Sequence, residues 1–324
     1  MSLLASPVVK TDRPSYRPYR ARVARLRRLS PHFVRVTFRS PDFDVFGTDG
    51  LDQRIKLVFP LENGLLSDLG VDDEARYDEA APAETDWYDR WRALPDERRN
   101  PIRTYTVRSI DPARRLLDVD FVAHGDGSAN GGPASRWLAK ATEGDELIIV
   151  GPDARSVHST VGIDWRPGSA TDLLLVGDET AAPAIAAILE TLPPDRRVHA
   201  FIEVPDEGDR LHVDLPSGFA VDWLDRAGGP SGCALIPAVE HWVAEHPDTI
   251  AAAAAGRVQQ LDEVDIDADV LWELPEHTQS GFYAWIAGES GTVKTIRRLL
   301  VGRNGVDRGR VAFMGYWRLG KSGL

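Results

Sequence analysis

The chain has 324 residues, enough for about two domains, and 43% of them are hydrophobic, enough for two ordinary cores. Its net charge of −12 argues against general nucleic-acid binding. A single cysteine, Cys233, excludes intrachain disulfides, four-ligand cysteine zinc sites and four-cysteine iron–sulfur centres. Any redox chemistry must therefore use a bound organic cofactor. Cys233 lies in an apolar stretch, which predicts a buried, inert thiol.

The N-terminal residues predict an arm followed by strands. Residues 1–18 contain three prolines and predict a poorly ordered basic arm. Residues 19–39 alternate apolar and polar side chains and predict two strands joined by a turn at Ser30-Pro31. Residues 53–59 predict a third strand, with Arg54 and Lys56 on one face.

Residues 61–100 differ from their surroundings, because they are acidic and lack a strand period. Apolar residues at helical spacing predict a short helix near 86–94, whose Trp87 and Trp91 pack against the rest of the domain. An insertion of this length is either a packing flap or a substrate lid.

Further short strands complete the first domain. Residues 102–108, 116–122 and 147–152 read as strands, and 134–140 reads as a helix. Many short strands with one helix predict a closed, six-stranded antiparallel Greek-key barrel over residues 1–168.

The pattern changes after a linker near residues 159–170. The apolar run 172–176 predicts a buried parallel strand, and the Ala-rich run 180–192 predicts a helix. Strands and helices continue to alternate to the end of the chain. Residues 169–324 therefore predict a doubly wound, nucleotide-binding α/β domain.

The strand Arg103-Thr104-Tyr105-Thr106 carries side chains suited to a flavin dinucleotide. Arg103 and Tyr105 share one face of the strand. A guanidinium can bind a pyrophosphate, a phenol ring can lie against an isoalloxazine, and a hydroxyl can bond ribityl or phosphate oxygens. By itself, the pattern also fits an ordinary solvated strand face.

A Gly-rich loop follows the next strand and leads into a helix that begins at Pro133-Ala134-Ser135. Helix N-termini present free N–H groups and partial positive charge, so they bind phosphates. The strand and the helix together predict a two-sided clamp for a dinucleotide.

Five motifs follow one another along the chain, namely R-T-Y-T-V-R, H-G-…-G-P-A-S-x-W, G-D-E-T-A-x-P-A-I, W-I-A-G-E-S-G and G-Y-W-R-x-G-K. In this combination the chain resembles the siderophore-interacting proteins, FAD-containing ferric-siderophore reductases within the ferredoxin–NADP reductase-like superfamily. The resemblance covers about residues 19–321. Two features depart from it: the loop before Gly132 is longer by Ser128-Ala129-Asn130-Gly131, and Arg54 stands where a His is common.

The resemblance implies an FAD site built from the first domain and the C-terminal aromatics. The implied contacts are Arg103, Thr104, Tyr105, Thr106, Asp120, Phe121, Val122, His124, Gly132, Pro133, Ala134, Ser135, Tyr316 and Trp317. Alternatively, Tyr316 and Trp317 dock the C-terminal tail on the second domain's sheet.

The resemblance also implies that NADPH or NADH binds the second domain. The implied contacts are Gly177, Asp178, Thr180, Gly288, Glu289 and Ser290. Asp178 or Thr180 can equally be a helix N-cap. Glu203 ends the second strand of this domain, where an acid can bond ribose hydroxyls and favour NADH, whereas Arg210 favours NADPH.

The implied activity is hydride transfer from NAD(P)H to FAD, followed by single-electron transfer to Fe(III) in a siderophore. The cofactors carry this chemistry, so no catalytic acid, base or protein-bound metal is expected. The cations expected at the substrate are Arg54, Lys56, Arg318 and Lys321. Two alternatives are a general NAD(P)H:flavin or quinone reductase and a non-catalytic flavin or siderophore carrier. Without a signal peptide or a membrane-span pattern, we expect a cytoplasmic protein. We also expect a monomer whose partner is the ferric siderophore, with no nucleic-acid or membrane partner.

Overall fold

The computed structural model describes residues 8–71, 86–123, 131–261, 269–275 and 281–320. The chain divides into two compact units. The first comprises the residues up to Arg27 together with Val34–Ile163, and the second comprises Arg28–Phe33 together with the residues from Asp164 onward. Each unit has its own hydrophobic core.

The first unit is built on a seven-stranded sheet with the order β4-β3-β7-β1-β2-β6-β5. Its strands are β1 (Tyr16–Arg28), β2 (Phe33–Arg39), β3 (Arg54–Val58), β4 (Ile102–Thr106), β5 (Ser109–Asp111), β6 (Leu116–Val122) and β7 (Glu146–Pro152). The pairs β1–β7, β3–β4, β3–β7 and β5–β6 are antiparallel. The predicted antiparallel barrel fold is confirmed.

The strand count and the closure differ from the prediction. There are seven strands because β5, only three residues long, pairs with β6 across the turn formed by residues 112–115. The hydrogen-bonded ladder ends at β4 and β5, so the sheet is a half-barrel. The chain leaving β4 nevertheless lies beside β6, because Arg108 N–H donates to the Asp118 carbonyl oxygen at 3.0 Å.

The alternation seen in the sequence explains the core of the first unit. On β1, Tyr19, Ala21 and Val23 are buried and Arg20 and Arg22 are exposed. This is the period-two pattern of a strand with one face against a core.

A second, smaller cluster lies under helix α1 (Trp87–Ala93). Trp87 and Trp91 pack there against Val58 and Ile148. The predicted helix and its packing role are therefore present. Helix α2 (Pro133–Leu138) is the other α-helix among the described residues of this unit.

The second unit is built on a six-stranded sheet with the order β10-β9-β8-β12-β13-β11. The first five strands are parallel, and β11 pairs antiparallel with β13. The strands are β8 (Asp172–Gly177), β9 (Arg197–Val204), β10 (Ala220–Asp225), β11 (Trp272–Glu273), β12 (Phe282–Glu289) and β13 (Val311–Trp317). The helices are α3 (Ala182–Thr191), α4 (Leu235–Glu245), α5 (Pro247–Ala253) and α6 (Ser290–Arg297), which continues into a π-helical turn at Arg298–Arg303.

Helices cover both faces of this sheet. Val176 and its neighbours on one face share a core with residues of α4, α5 and α6. The next residue, Gly177, points the other way, and a Cβ there would meet Ala181 and Ile185 of the α3 segment. The predicted doubly wound α/β fold is confirmed. The short elements α5 and β11 were not predicted from the sequence.

The turn between β1 and β2 belongs to the second unit. The buried carboxylate of Asp209 accepts hydrogen bonds from Ser30 Oγ at 2.6 Å and from His32 N–H at 2.7 Å. Its other oxygen lies 2.6 Å from His32 Nδ1. These bonds hold the turn in place.

The structure also tests the expected burial of Cys233 and the expected absence of a membrane-spanning helix. The prediction that Cys233 is buried is wrong, because its side chain is exposed. The apolar stretch that suggested burial leads into α4, which begins at Leu235 and buries that residue, whereas Cys233 lies in the turn before the helix. Within the described residues, no helix is long and apolar enough to cross a membrane.

Candidate cofactor sites

Strand β4 places its predicted flavin residues on two faces. Arg103 lies opposite Leu57 and Tyr105 opposite Ile55 in the register with β3. Leu57 and Ile55 are buried core residues, so Arg103 and Tyr105 share the inward face, as predicted. The two threonines of the motif, Thr104 and Thr106, lie on the opposite face, where Thr106 is buried.

The Arg103 guanidinium is half-buried at this face. Its Nη1 donates to the Ile102 carbonyl oxygen at 2.7 Å. Burial lowers the pKa of Arg103, and the charge of Arg136 lowers it further. The two guanidinium charges therefore repel each other, and a bound anion would relieve that repulsion. Arg136 was absent from the predicted site, although it directly follows the G-P-A-S motif.

An aromatic cluster fixes α2 beside β4 and β6. The Tyr105 and Phe121 rings lie 4.4 Å apart between centroids, and Phe121 lies 5.7 Å from Trp137 of α2. Trp137 also stacks on Phe38 at 6.2 Å. Burial raises the pKa of Tyr105, so its phenol stays protonated and can donate. Phe121, at 1% exposure, is a core residue that supports Tyr105.

The Asp120 carboxylate is committed to the barrel. It accepts two hydrogen bonds from Arg35, at 2.7 and 2.8 Å, and lies 3.7 Å from Arg108 Nε. Its side chain has no exposed surface. A contact between Asp120 and FAD would therefore have to use the backbone. Val122, another predicted FAD contact, is partly buried at the end of β6.

Helix α2 begins as the motif predicts. Gly132 is the N-cap residue and Pro133 occupies the first helical position. The first intrahelical bond runs from Arg136 N–H to the Gly132 carbonyl, so the N–H groups of Ala134 and Ser135 have no acceptor within the helix. Among the described residues, no heavy atom lies within 4 Å of a Cβ built at Gly132. Residues 124–130, which include His124 and most of the lengthened loop, lie outside the described residues.

These residues fit a flavin dinucleotide. The positive charges of Arg103 and Arg136 and a helix N-terminus suit a pyrophosphate, and the inward Tyr105 ring suits an isoalloxazine or ribityl contact.

The predicted substrate cations begin on the outer face of β3. Lys56 Nζ donates to Thr104 Oγ1 at 2.7 Å. Burial lowers the pKa of Lys56, and neighbouring Arg54 lowers it further. Arg318 follows β13 in the second unit, and Lys321 lies outside the described residues.

In the second unit, Asp178 is the centre of the predicted nicotinamide edge. Its Oδ1 accepts from Thr180 N–H at 2.9 Å and from Thr180 Oγ1 at 2.5 Å, forming an Asx turn before α3. The N-cap residue of α3 is Ala181, so neither Asp178 nor Thr180 is the N-cap. Its Oδ2 accepts from Glu289 N–H at 2.7 Å. Burial raises the pKa of Asp178 to about 6, and the neighbouring Glu179 charge adds to the rise.

The second predicted loop, Gly288–Ser290, begins α6. The Glu289 carboxylate caps the helix by accepting from Thr292 N–H at 2.9 Å. Ser290 Oγ donates to the Trp317 carbonyl oxygen at 2.9 Å. Asp178 thus joins the ends of β8 and β12, and Ser290 joins α6 to the end of β13.

The ribose-binding role predicted for Glu203 is not supported by its geometry. Its side chain is fully buried, and it accepts hydrogen bonds from the N–H groups of Gly232 at 2.8 Å, Ala234 at 2.9 Å and Leu235 at 3.0 Å. Its Oε2 also lies 3.3 Å from Arg226 Nη1. Both carboxylate oxygens are therefore engaged in holding the start of α4.

Arg226, absent from the prediction, completes this buried charge network. It binds Glu179 through two hydrogen bonds of 2.7 and 2.8 Å. Burial lowers the pKa of Arg226, but Glu179 and Glu203 outweigh that effect and raise it. The acids at this sheet edge are thus occupied by protein groups. By contrast, Arg210 is exposed.

The C-terminal aromatics pack on the sheet of the second unit. Tyr316 stacks on Trp272 with 5.8 Å between centroids and 13° between planes, and it meets the edge of Trp285 at 6.1 Å. Trp317 Nε1 donates to Asp178 Oδ2 at 2.8 Å. This geometry matches the alternative in which the tail docks on the sheet.

Family models match both halves of the chain. The siderophore-interacting FAD-binding domain matches residues 22–156, and the siderophore-interacting protein model matches residues 170–320. An uncharacterised protein of Mycobacterium tuberculosis (strain ATCC 25618 / H37Rv) is 34% identical over 303 residues, which cover 93% of this chain and 90% of that protein.

Two relatives whose names state an activity have lower sequence identity. The ferric vibriobactin reductase ViuB of Vibrio cholerae is 26% identical, covering 91% of this chain and 87% of that protein. The NADPH-dependent ferric-chelate reductase of Escherichia coli (strain K12) is 26% identical, covering 91% of each. A crystal structure of a siderophore utilization protein from T. fusca is similar with a TM-score of 0.65 and 28% identity, covering 97% of each chain. The chain belongs to the siderophore-interacting protein family and carries that family's FAD-binding domain.

Proposed function

We propose that this protein is an NAD(P)H-dependent ferric-siderophore reductase that releases iron as Fe(II). Family membership supports the binding of FAD and action on siderophores. The observation that carries the proposal is the position of Arg103 on the inward face of β4, with the charge of Arg136 near enough to lower its pKa, because paired guanidinium groups are suited to a dinucleotide pyrophosphate.

In this proposal the first unit holds the flavin. Arg103 and Arg136 neutralise the pyrophosphate, and the N–H groups of Ala134 and Ser135 bind its oxygens. Tyr105 supports the flavin from the inward face of β4. Bound FAD would accept two electrons as a hydride and deliver them singly. The protein's residues bind and orient the cofactor and need not transfer a proton.

The second unit holds the nicotinamide dinucleotide at the carboxyl ends of β8 and β12, where open α/β sheets bind ligands. Since Asp178, Glu179, Glu203 and Glu289 are occupied by protein donors, recognition falls on the backbone and hydroxyl groups of these loops. Glu203 does not bond the ribose in this scheme. We include both NADH and NADPH as donors. A relative at 26% identity is named as NADPH-dependent.

The substrate is a ferric siderophore. In the first unit, Arg54 and Lys56 on β3 are the cations that attract it. Reduction to Fe(II) lowers the ion's charge, so an oxygen-rich chelator holds it less tightly. We place this reaction in the cytoplasm.

Anaerobic stopped-flow spectroscopy tests the proposal in two half-reactions. Flavin absorbance should bleach with NADH or NADPH and return on addition of a ferric siderophore, with Fe(II) captured by a chromogenic chelator. Reoxidation by a quinone but not by any ferric chelate would instead identify a general quinone reductase. The absence of bleaching with either dinucleotide would identify a carrier.

A further inference from the structure

Strand β13 ends in a side-chain contact with a strand that is not its neighbour. Trp317, the last residue of β13, donates its indole N–H to Asp178 Oδ2 at 2.8 Å. Asp178 directly follows β8, and β12 lies between β8 and β13 in the sheet. The two side chains therefore bridge the end of β12.

The Asp178 carboxylate is saturated by donors. Thr180 supplies its backbone N–H and its hydroxyl to Oδ1, while Glu289 N–H and the Trp317 indole share Oδ2. Four donors match the roughly four acceptor positions of a carboxylate. With 1% exposure, Asp178 joins three strand ends in a setting from which water is excluded.

The backbone is shaped for this contact. The β12–β13 register shifts at Gly288, so that Glu289 lies opposite Trp317 instead of Tyr316. Such bulges re-aim side chains next to functional sites. Gly288 has φ of +146°, and a Cβ there would lie 2.6 Å from Asp178 Oδ2. Only glycine allows this approach.

Two more hydrogen bonds hold the same C-terminal segment. Ser290 Oγ donates to the Trp317 carbonyl oxygen at 2.9 Å, and Leu319 N–H donates to Glu289 Oε1 at 3.4 Å. The segment 317–319 is thus attached to the loops that follow β8 and β12. Those loops form the edge where open α/β sheets bind ligands.

We propose that Asp178 is a positioning residue for the nicotinamide dinucleotide: through Trp317 it fixes residues 317–319 as one wall of that site. The inference rests on the proposed binding of NAD(P)H at this edge. Asp178 itself is surrounded by protein donors and acts on the dinucleotide only through the segment that it holds.

Trp317→Phe is the primary variant, because it keeps an aromatic ring and removes the donated N–H. The dissociation constants of NADH and NADPH, from fluorescence titration of the FAD-loaded protein, should rise about tenfold, the effect of one lost hydrogen bond to a charged acceptor. The rate of flavin reduction at saturating dinucleotide should change less than about twofold. Backbone hydrogen exchange at Glu289 and Leu319 should accelerate while the sheet core stays protected.

Trp272→Phe is the matched control. It removes an indole from the same region, where Trp272 stacks on Tyr316, without altering the donor to Asp178. Its dissociation constants should equal those of the unaltered protein.

Asp178→Asn and the double variant Asp178→Asn/Trp317→Phe test whether Asp178 acts through Trp317. In that case the double variant binds the dinucleotides no more weakly than Asp178→Asn alone. If Asp178→Asn does not fold, Ser290→Ala releases the same segment and should weaken binding similarly.

Unchanged or tighter binding by Trp317→Phe would overturn the inference, as would additive effects in the double variant. If the unaltered protein binds neither dinucleotide, the proposed function fails and this inference fails with it. If the unaltered protein and Trp317→Phe bind the dinucleotides equally well, the positioning role of Asp178 is wrong and the proposed function still stands.

Discussion

Arg35 and Asp120 form a two-point ion pair inside the first unit, with Nε–Oδ1 and Nη2–Oδ2 distances of 2.7 and 2.8 Å. The Asp120 side chain has no exposed surface, and Arg35 is 18% exposed. The pair links β2 to β6, the strand that leads into the Gly-rich loop and α2. Removing one partner leaves a buried charge without its main counter-ion, which is a costly situation.

The first prediction follows from this pair. Arg35→Met should lower the free energy of unfolding by about 3–5 kcal/mol, because the buried Asp120 carboxylate loses its main counter-ion. Chemical denaturation measures the change. Arg22→Gln is the control, since Arg22 is 69% exposed in its pair with Glu146 and should cost at most about 1 kcal/mol. If both variants lowered the free energy of unfolding by the same amount, burial of the Arg35–Asp120 pair would not explain its contribution.

The second prediction concerns FAD retention. Arg103→Ala should weaken FAD binding by about tenfold to a hundredfold, the loss of a charged hydrogen bond to phosphate worth about 1.5–3 kcal/mol. Arg136→Ala should weaken it in the same direction. Flavin content after gel filtration, followed by titration of the apoprotein with FAD, measures both effects. Arg114→Ala, an exposed arginine on the turn before β6, is the control. Full flavin retention by Arg103→Ala would remove it from the phosphate site.

The third prediction concerns Glu203, whose substitution should change the stability of the fold and not the preference between NADH and NADPH. Glu203→Ala removes the acceptor for three N–H groups at the start of α4 and one partner of Arg226. The free energy of unfolding should fall by about 3–5 kcal/mol. The ratio of kcat/KM for NADH and NADPH should not change. A shift of that ratio toward NADPH in a fully stable variant would restore the ribose-binding role.

The fourth prediction is a pH dependence of stability. The pKa of Asp178 is raised to about 6 by burial and by the Glu179 charge, from an ordinary value of 3.8. The folded state therefore holds this proton more tightly than the unfolded state. The stabilisation is complete below pH of about 4 and is lost as the pH rises through about 6.

Denaturant unfolding at a series of pH values checks this behaviour. Asp178→Asn should remove the part of the slope that falls between about pH 4 and 6. Asp222→Asn, at an exposed carboxylate paired with His199, is the control for an unrelated acid. An Asp178→Asn slope that matches the unaltered protein would assign the titration to another group.

The fifth prediction concerns the acceptor. An anionic ferric chelate is repelled by a protein of net charge −12, so local cations such as Arg54 and Lys56 should speed its encounter. Flavin reoxidation by such a chelate should slow as ionic strength rises, with a screening length of about 8–10 Å near physiological salt. Lys56→Gln with Lys321→Gln should flatten this dependence and leave flavin reduction by NAD(P)H intact. Insensitivity to salt, or a loss of flavin reduction in the double variant, would contradict the assignment.

The sequence by itself determined the two-domain fold and most of its elements. Continuous apolar runs such as 172–176 occur where a parallel strand is covered on both faces, and alternation placed Arg103 and Tyr105 on one face of β4. These signals are local, because the period of the side chains along a strand depends only on the backbone. Glycine at the N-cap and proline at the first helical position also predicted the start of α2.

The tertiary structure alone decided what the charged side chains touch. Asp178 and Trp317 are 139 positions apart, and they meet because the strand order is β8-β12-β13 and a bulge turns Trp317 toward β8. Glu203 looked like a ribose ligand at the end of β9, yet it binds the start of α4, 31 positions away at Ala234. A buried carboxylate takes whichever donors the packed fold brings to it, and that choice depends on contacts between distant segments that no local pattern records.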